Sequence, residues 1–256
     1  MVRFCALLIA GGLALAGKEP PPGAAAQAAM LDGVKRTAGQ YQAELPDFVC
    51  TLLTRRSTDS SGGGKHFKQV DTDEVQFTYV SRVPNREVLK VNGKPARMES
   101  LSGFRSDGLL PVMGFLPEWM FGAQSKTRFE WSRWDTQNGR RVAVFALRLR
   151  SEDSELPFSN NRGSVMVGLH GSMFVDPATD AVLRLEFQLE VPPGPPLEVR
   201  DSSFDLDYGP VTIAGQEFFL PVRTVAQMRN ASGIARNETE VVRYQKYSAD
   251  SSVTFK

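Results

Sequence analysis

The chain has 256 residues, 41% of them hydrophobic, with 30 Lys and Arg against 29 Asp and Glu for a formal net charge of +1. So even a balance lacks the phosphate-neutralising excess that nucleic-acid binding needs. Two cysteines and two histidines leave no disulfide framework and no ligand set at metal-site spacing.

Residues 1–16 read as a secretory signal peptide. Arg3 gives a basic start, Phe4–Leu13 carries no charge, and Ala14-Leu15-Ala16 supplies a small-x-small cleavage pattern. The apolar run is too short to span a bilayer as a helix. Ala26-Gln27-Ala28 is a second cleavage candidate. Cleavage removes Arg3 alone among the charged residues. It also removes Cys5, which leaves Cys50 without an internal partner. In Phe48-Val49-Cys50-Thr51 that cysteine reads as a small buried hydrophobe. The expected organisation is a signal peptide at 1–16, a flexible Pro/Gly/Ala linker at 17–27 and a single β domain at 28–256. A periplasmic or secreted location follows.

A helix is predicted over Ala28–Leu45. Met30, Leu31, Val34, Ala38 and Tyr41 recur at steps of three and four, and Pro46 ends it. From Phe48 onward the pattern is that of strands. Phe48–Arg56 leads to the turn Gly62-Gly63-Gly64. Val75, Phe77 and Tyr79 then alternate with polar residues. Glu87–Val91 runs into Asn92-Gly93, and Thr127–Trp134 and Arg141–Arg150 flank Asn138-Gly139, both hairpin signals. Val165–Asp176 and Ala181–Val191 flank an Asp-Pro turn. In the second of these, Leu183, Leu185, Phe187, Leu189 and Val191 alternate with Arg184, Glu186, Gln188 and Glu190, which puts one face in a core and the other in water. Ser203–Tyr208, Glu217–Met228, Thr239–Tyr247 and Ser251–Phe255 complete about eleven strands. The fold class is mainly β: a curved, largely antiparallel sheet with an N-terminal helix. Gly108–Ala123, apolar and cut by Pro111 and Pro117, is a short helical apolar insertion.

Sites for chemistry are scarce. Gly-x-Ser-x-Gly, Cys-x-x-Cys and His-Glu-x-x-His are absent, and no Gly-rich loop opens a helix. The Asp71, Asp73, Glu74 run reads as a solvated strand entry. Asp205 and Asp207 read as the wet face of an edge strand, and Arg55-Arg56 and Arg140-Arg141 as solvated faces. The chain reads as no enzyme, with no cofactor and no metal.

The order of elements, and Met173-Phe174-Val175-Asp176-Pro177-Ala178-Thr179 leading to Val182-Leu183-Arg184-Leu185-Glu186, resemble the periplasmic outer-membrane lipoprotein carrier family. Asp207-Tyr208-Gly209-Pro210 before Leu220-Pro221 adds to the likeness. Leu45-Pro46-Asp47-Phe48-Val49-Cys50-Thr51 resembles a group of secreted bacterial proteins. The resemblance implies a half-barrel around a cavity that receives acyl chains, with Gly108–Ala123 as lid or plug. The expected function is non-covalent binding of an acyl chain or lipoprotein. The expected ligand-binding residues are Phe77, Tyr79, Leu110, Met113, Phe115, Trp119, Phe129, Trp131, Met173, Val175, Leu185 and Phe187. The alternative is a secreted structural or interaction module with a filled core, whose apolar segment meets an envelope protein partner.

Overall fold

The alternation of the sequence is realised as one open antiparallel sheet with a helix on its inner face. The computed structural model describes residues 19–96, 120–122, 124–160, 163–192, 194 and 199–248. The elements are α1 (Ala24–Glu44), β1 (Phe48–Asp59), β2 (Lys68–Val80), β3 (Val83–Val91), β4 (Lys94–Pro95), β5 (Arg128–Gln137) and β6 (Arg140–Leu149). They continue with β7 (Pro157–Asn160), β8 (Gly163–Met166), β9 (Gly168–Val175), β10 (Val182–Glu190), β11 (Asp201–Ile213), β12 (Gln216–Asn230) and β13 (Gly233–Lys246). Eleven strands pair in the order β4-β3-β2-β1-β13-β12-β11-β10-β9-β6-β5, and β7 and β8 form a separate hairpin. The sheet is a half-barrel with free edges at β4 and β5.

Turn chemistry sets these pairings. Asn92-Gly93 and Asn138-Gly139 have positive φ at both positions and close two-residue hairpins as predicted. Ser81-Arg82 and Ala214-Gly215 do the same without an Asn-Gly signal. Asp59 organises the glycine turn. Its carboxylate accepts from Ser61 N at 2.9 Å, Lys65 N at 3.1 Å and His66 N at 3.2 Å. The Ser61 hydroxyl, which donates to it at 2.5 Å, and these backbone bonds hold it well below the usual carboxylate range.

The helix starts at Ala24, earlier than the apolar stripe predicts, because the alanines before the stripe are the strongest helix formers. Val34 is buried on the sheet, with Met30 and Leu31 packed beside it. Gly33 approaches the β9–β10 turn so closely that a Cβ there would lie 2.0 Å from the Asp180 carboxylate. The predicted strand Val165–Asp176 divides into β8 and β9, and Ser251–Phe255 lies outside the described residues.

Two apolar clusters fill the inner face. The first, under α1, includes Phe145, Leu147, Met173, Val175, Leu185, Phe187, Phe204 and Leu206. The second joins Phe48, Cys50, Leu52, Val75, Phe77 and Tyr79 to Ile213, Phe218 and Leu220. Those last three come from the tip of the β11–β12 hairpin, beyond the register shift at Asp207/Tyr208. The β12–β13 pairing begins only at Arg223↔Glu240, so this tip parts from β13, although Tyr244 of β13 still reaches Pro221.

Candidate functional site

Paired residues in an antiparallel sheet share a face, so the inner face can be read straight across the strands. One row runs Trp131–Phe145–Met173–Leu185–Leu206–Thr224–Thr239–Thr54–Asp73. The row beside it ends Phe187–Phe204–Ala226–Asn237–Arg56–Asp71. Both begin apolar and turn polar at β12 and β13. Along these rows the inner face is therefore amphipathic, while Leu52–Val75 and Cys50–Phe77 keep it apolar further along β1 and β2.

The apolar side ends in an aromatic stripe on β5. A bulge between Trp131 and Arg133 turns Trp134 onto the same face as Trp131 and Phe129. Trp131 meets Trp134 edge-on at 4.8 Å and Phe145 at 5.5 Å, and Phe121 stacks on Phe129 at 5.3 Å. All of these except Phe145 are only partly buried. The stripe is held from outside: Arg141 lies 3.5 Å over the Trp134 ring and pairs with Glu19, and Trp134 Nε1 donates to Pro20 O at 3.1 Å.

The polar side is a partly buried ionic group. Arg56 is bidentate to Asp71 at 2.5 and 2.6 Å. Thr54 and Thr239 hydroxyls meet at 2.9 Å. Asp73 is 6% exposed, and burial raises its carboxyl to about 6, against the pull of Arg56. This corrects the reading of Asp71, Asp73 and Arg56 as solvated: these three are on the inner face, whereas Glu74 is on the outer face with Lys90 and Arg243. The signal was present, since Arg56 shares the period-two face of Cys50 and Leu52.

The ligand residues expected from sequence divide in two. Met173, Val175, Leu185 and Phe187 are in the first cluster, with Phe129 and Trp131 packed against it, whereas Phe77 and Tyr79 belong to the second. Leu110, Met113, Phe115 and Trp119 lie outside the described residues, while Met120 and Phe121, from the same apolar segment, reach the first cluster. Leu183 departs from the alternation of its strand. A register shift between Val182 and Arg184 sends it to the outer face, against Val142, Val144 and Phe174.

The outer face otherwise carries a lattice of ion pairs. Arg184 meets Glu186 at 2.7 Å and Asp207 at 3.3 Å, Arg223 meets Asp207 at 3.4 Å, and Glu238 takes Arg55 at 2.7 Å and Arg236 at 2.8 Å. Asp205 and Asp207 are on this face, but β11 lies between β10 and β12, so it is no edge strand. An open groove of about 380 Å³ runs along Arg55, Gln69, Arg223 and Glu240. Its arginines are already paired, which leaves no free cationic cradle there.

Three ionisable groups meet near the second cluster. Burial pushes the Cys50 thiol up to about 12, so it stays protonated and unreactive. Tyr244 donates its hydroxyl to Pro221 O at 2.7 Å. Burial holds Tyr208 above the ordinary phenol value. Among the described residues no group of three or more His, Cys, Asp and Glu is placed to hold a metal ion, and no helix is long and apolar enough to cross a membrane.

No family model matches the chain, and no curated protein matches it. Among solved structures it is similar to a LolA superfamily protein from Nitrosomonas europaea, at 11% identity over 88% of this chain and 97% of that one, with a TM-score of 0.35. It is also similar to a DUF1329 family protein from Desulfovibrio piger, at 8% identity over 88% and 95% of the two chains, with a TM-score of 0.41. A Vibrio parahaemolyticus domain described as outer membrane lipoprotein-sorting matches at 11% identity over 86% and 94%, with a TM-score of 0.37. At these identities the likeness concerns the fold.

Proposed function

We propose that this chain is an exported envelope protein that binds an acyl chain, free or carried by a lipoprotein, without covalent chemistry. The reading rests on the amphipathic row across the inner face, apolar from Trp131 to Leu206 and polar from Thr224 to Asp73. A chain laid along the apolar side, against the half-buried Phe129, Trp131 and Trp134, leaves water at roughly 25 cal/mol per Å², several kcal/mol in all. The periplasm or the exterior is the location that fits the signal-peptide reading of residues 1–16. Native mass spectrometry of gently purified protein tests the proposal. A co-purifying acyl species, together with quenching of tryptophan fluorescence by brominated palmitate, supports it; neither event, at saturating palmitate, overturns it.

A second reading has its own observation. Met173, Val175, Leu185 and Phe187 are 0 to 4% exposed and fill the interior themselves, as the core of an interaction module would. A discrete protein partner in place of lipid in the same mass spectrum favours that reading.

A further inference from the structure

β5 is an edge of the sheet that no other described strand but β6 pairs with, and its charges answer one another. Its outward side chains are Arg128, Glu130, Arg133 and Asp135, opposite Arg148, Ala146, Val144 and Val142 of β6. Phe129, Trp131 and Trp134 line the inner face. The bulge between Trp131 and Arg133 inserts Ser132, so even-numbered residues before it share a face with odd-numbered residues after it. A two-fold axis between Trp131 and Ser132 then sets a second β5 antiparallel beside the first, with side chains opposite others of their own face. Glu130 meets Arg133 of the second copy, Arg128 meets its Asp135, and Phe129 meets its Trp134. The symmetry makes each pairing twice. Among the described residues Arg128 and Glu130 have no ion-pair partner, and Arg133 and Asp135 pair only with each other, exposed, at 3.0 Å. The opposite edge is guarded: β4 has two residues, and β3 beside it carries Pro84, which has no donor.

We propose that two copies of this chain join through β5, antiparallel about that axis, so that their sheets run on as one and the two aromatic stripes form a single inner surface. The bulge selects the partner. It ordinarily guards an edge, because a regular strand laid against it puts its side chains on the wrong face beyond Ser132. A second copy carries the matching bulge and stays in phase along the whole strand. The pairing stands apart from the acyl-binding reading. Under that reading each copy lends Phe129 and Trp134 to the apolar side of the other.

Sedimentation velocity of the purified protein across a micromolar concentration series tests the proposal, and a dimer is expected. Glu130→Arg sets arginine against arginine at both crossings, and Arg133→Glu sets glutamate against glutamate. Both positions are exposed, and thermal melting checks that each variant keeps the fold. Either variant alone is expected to weaken the dimer at least about tenfold. Mixing the two variants puts opposite charges back at both crossings and is expected to restore it. Ser132→Cys, beside the axis, is expected to form an intermolecular disulfide on mild oxidation, and Thr136→Cys, far from its symmetry mate, is not. A monomer throughout the series overturns the proposal. So does a dimer that survives both single variants, a pair of variants that dissociate and do not recombine on mixing, or a dimer in which Ser132→Cys fails to bridge.

Discussion

Arg56 Nε and the Asp73 carboxylate stand 3.9 Å apart on the inner face of the sheet, yet the guanidinium is given to Asp71 at 2.5 Å. One arginine thus serves two carboxylates on one strand face, and the more buried of the two gets the weaker share. Asp73 keeps a hydrogen bond from Thr54 and is otherwise dominated by desolvation.

That arrangement predicts an unusual pH dependence. The folded Asp73 carboxyl sits at about 6, above an unfolded value of about 3.9. The folded state therefore binds the extra proton between these values. This group's contribution is most favourable below about pH 4 and is lost as pH rises through about 6, a change of roughly 3 kcal/mol. Asp73→Asn removes the effect. Urea denaturation at pH 4.5 and 7.5 is expected to show the variant gaining stability over the unsubstituted protein at the higher pH only. An equal difference at both pH values would contradict the assignment.

The β10 register predicts a sharp contrast between neighbours. Leu185 is 3% exposed in the first cluster, whereas Glu186 faces outward and pairs with Arg184. Leu185→Asp buries an unpaired charge and is expected to cost several kcal/mol. Glu186→Lys loses one surface ion pair and costs under about 1 kcal/mol. Thermal melts of the two variants check the difference.

Two glycines make close approaches of different kinds. A Cβ on Gly171 would lie 1.9 Å from the Glu186 carbonyl oxygen, which is backbone in the paired strand. Gly171→Ala must push β9 from β10 and is expected to cost more than about 2 kcal/mol. On Gly33 the Cβ would meet the Asp180 carboxylate, which can rotate aside, and alanine improves the helix by up to about 1 kcal/mol. Gly33→Ala is expected to be near neutral. Similar losses in denaturant midpoint for both would refute this.

Cys50 is 1% exposed, and its thiol is raised to about 12. Iodoacetamide at pH 8 is expected to leave the Cys50 peptide unlabelled in native protein and to label it fully in urea. Peptide mass spectrometry reads both states, and rapid native labelling would show that the second cluster opens.

The strands were legible because period-two alternation is a strong local signal, and two of the hairpins because Asn-Gly states its own turn. What escaped depends on bulges and on distant neighbours. Leu183 fits the alternation of Arg184 and Leu185 in sequence, and only the shift beside Val182 reverses it. Trp134 comes beside Trp131 through a bulge of the same kind. Asp73 looked solvated because its charged neighbours in sequence are polar. Its burial comes from β1 and β13, which sequence proximity does not reveal. For the ligand residues, alternation identified the face but not which cluster each would enter.

The pairing of β1 with β13 joins the first described strand to the last within the sheet. Thr54 meets Thr239 across a sequence separation of 185 residues. The chain made early, β1 to β4, has no route to the rest of the sheet until β13 emerges and docks on both sides at once. Such non-local closure slows folding and leaves unpaired strand edges waiting. A chain cut after residue 232 therefore keeps β1–β4 apart from the sheet of β5, β6 and β9–β12. β13 welds the molecule, and the exposed edges of β1 and β12 are the surfaces a holding chaperone would have to shield until then.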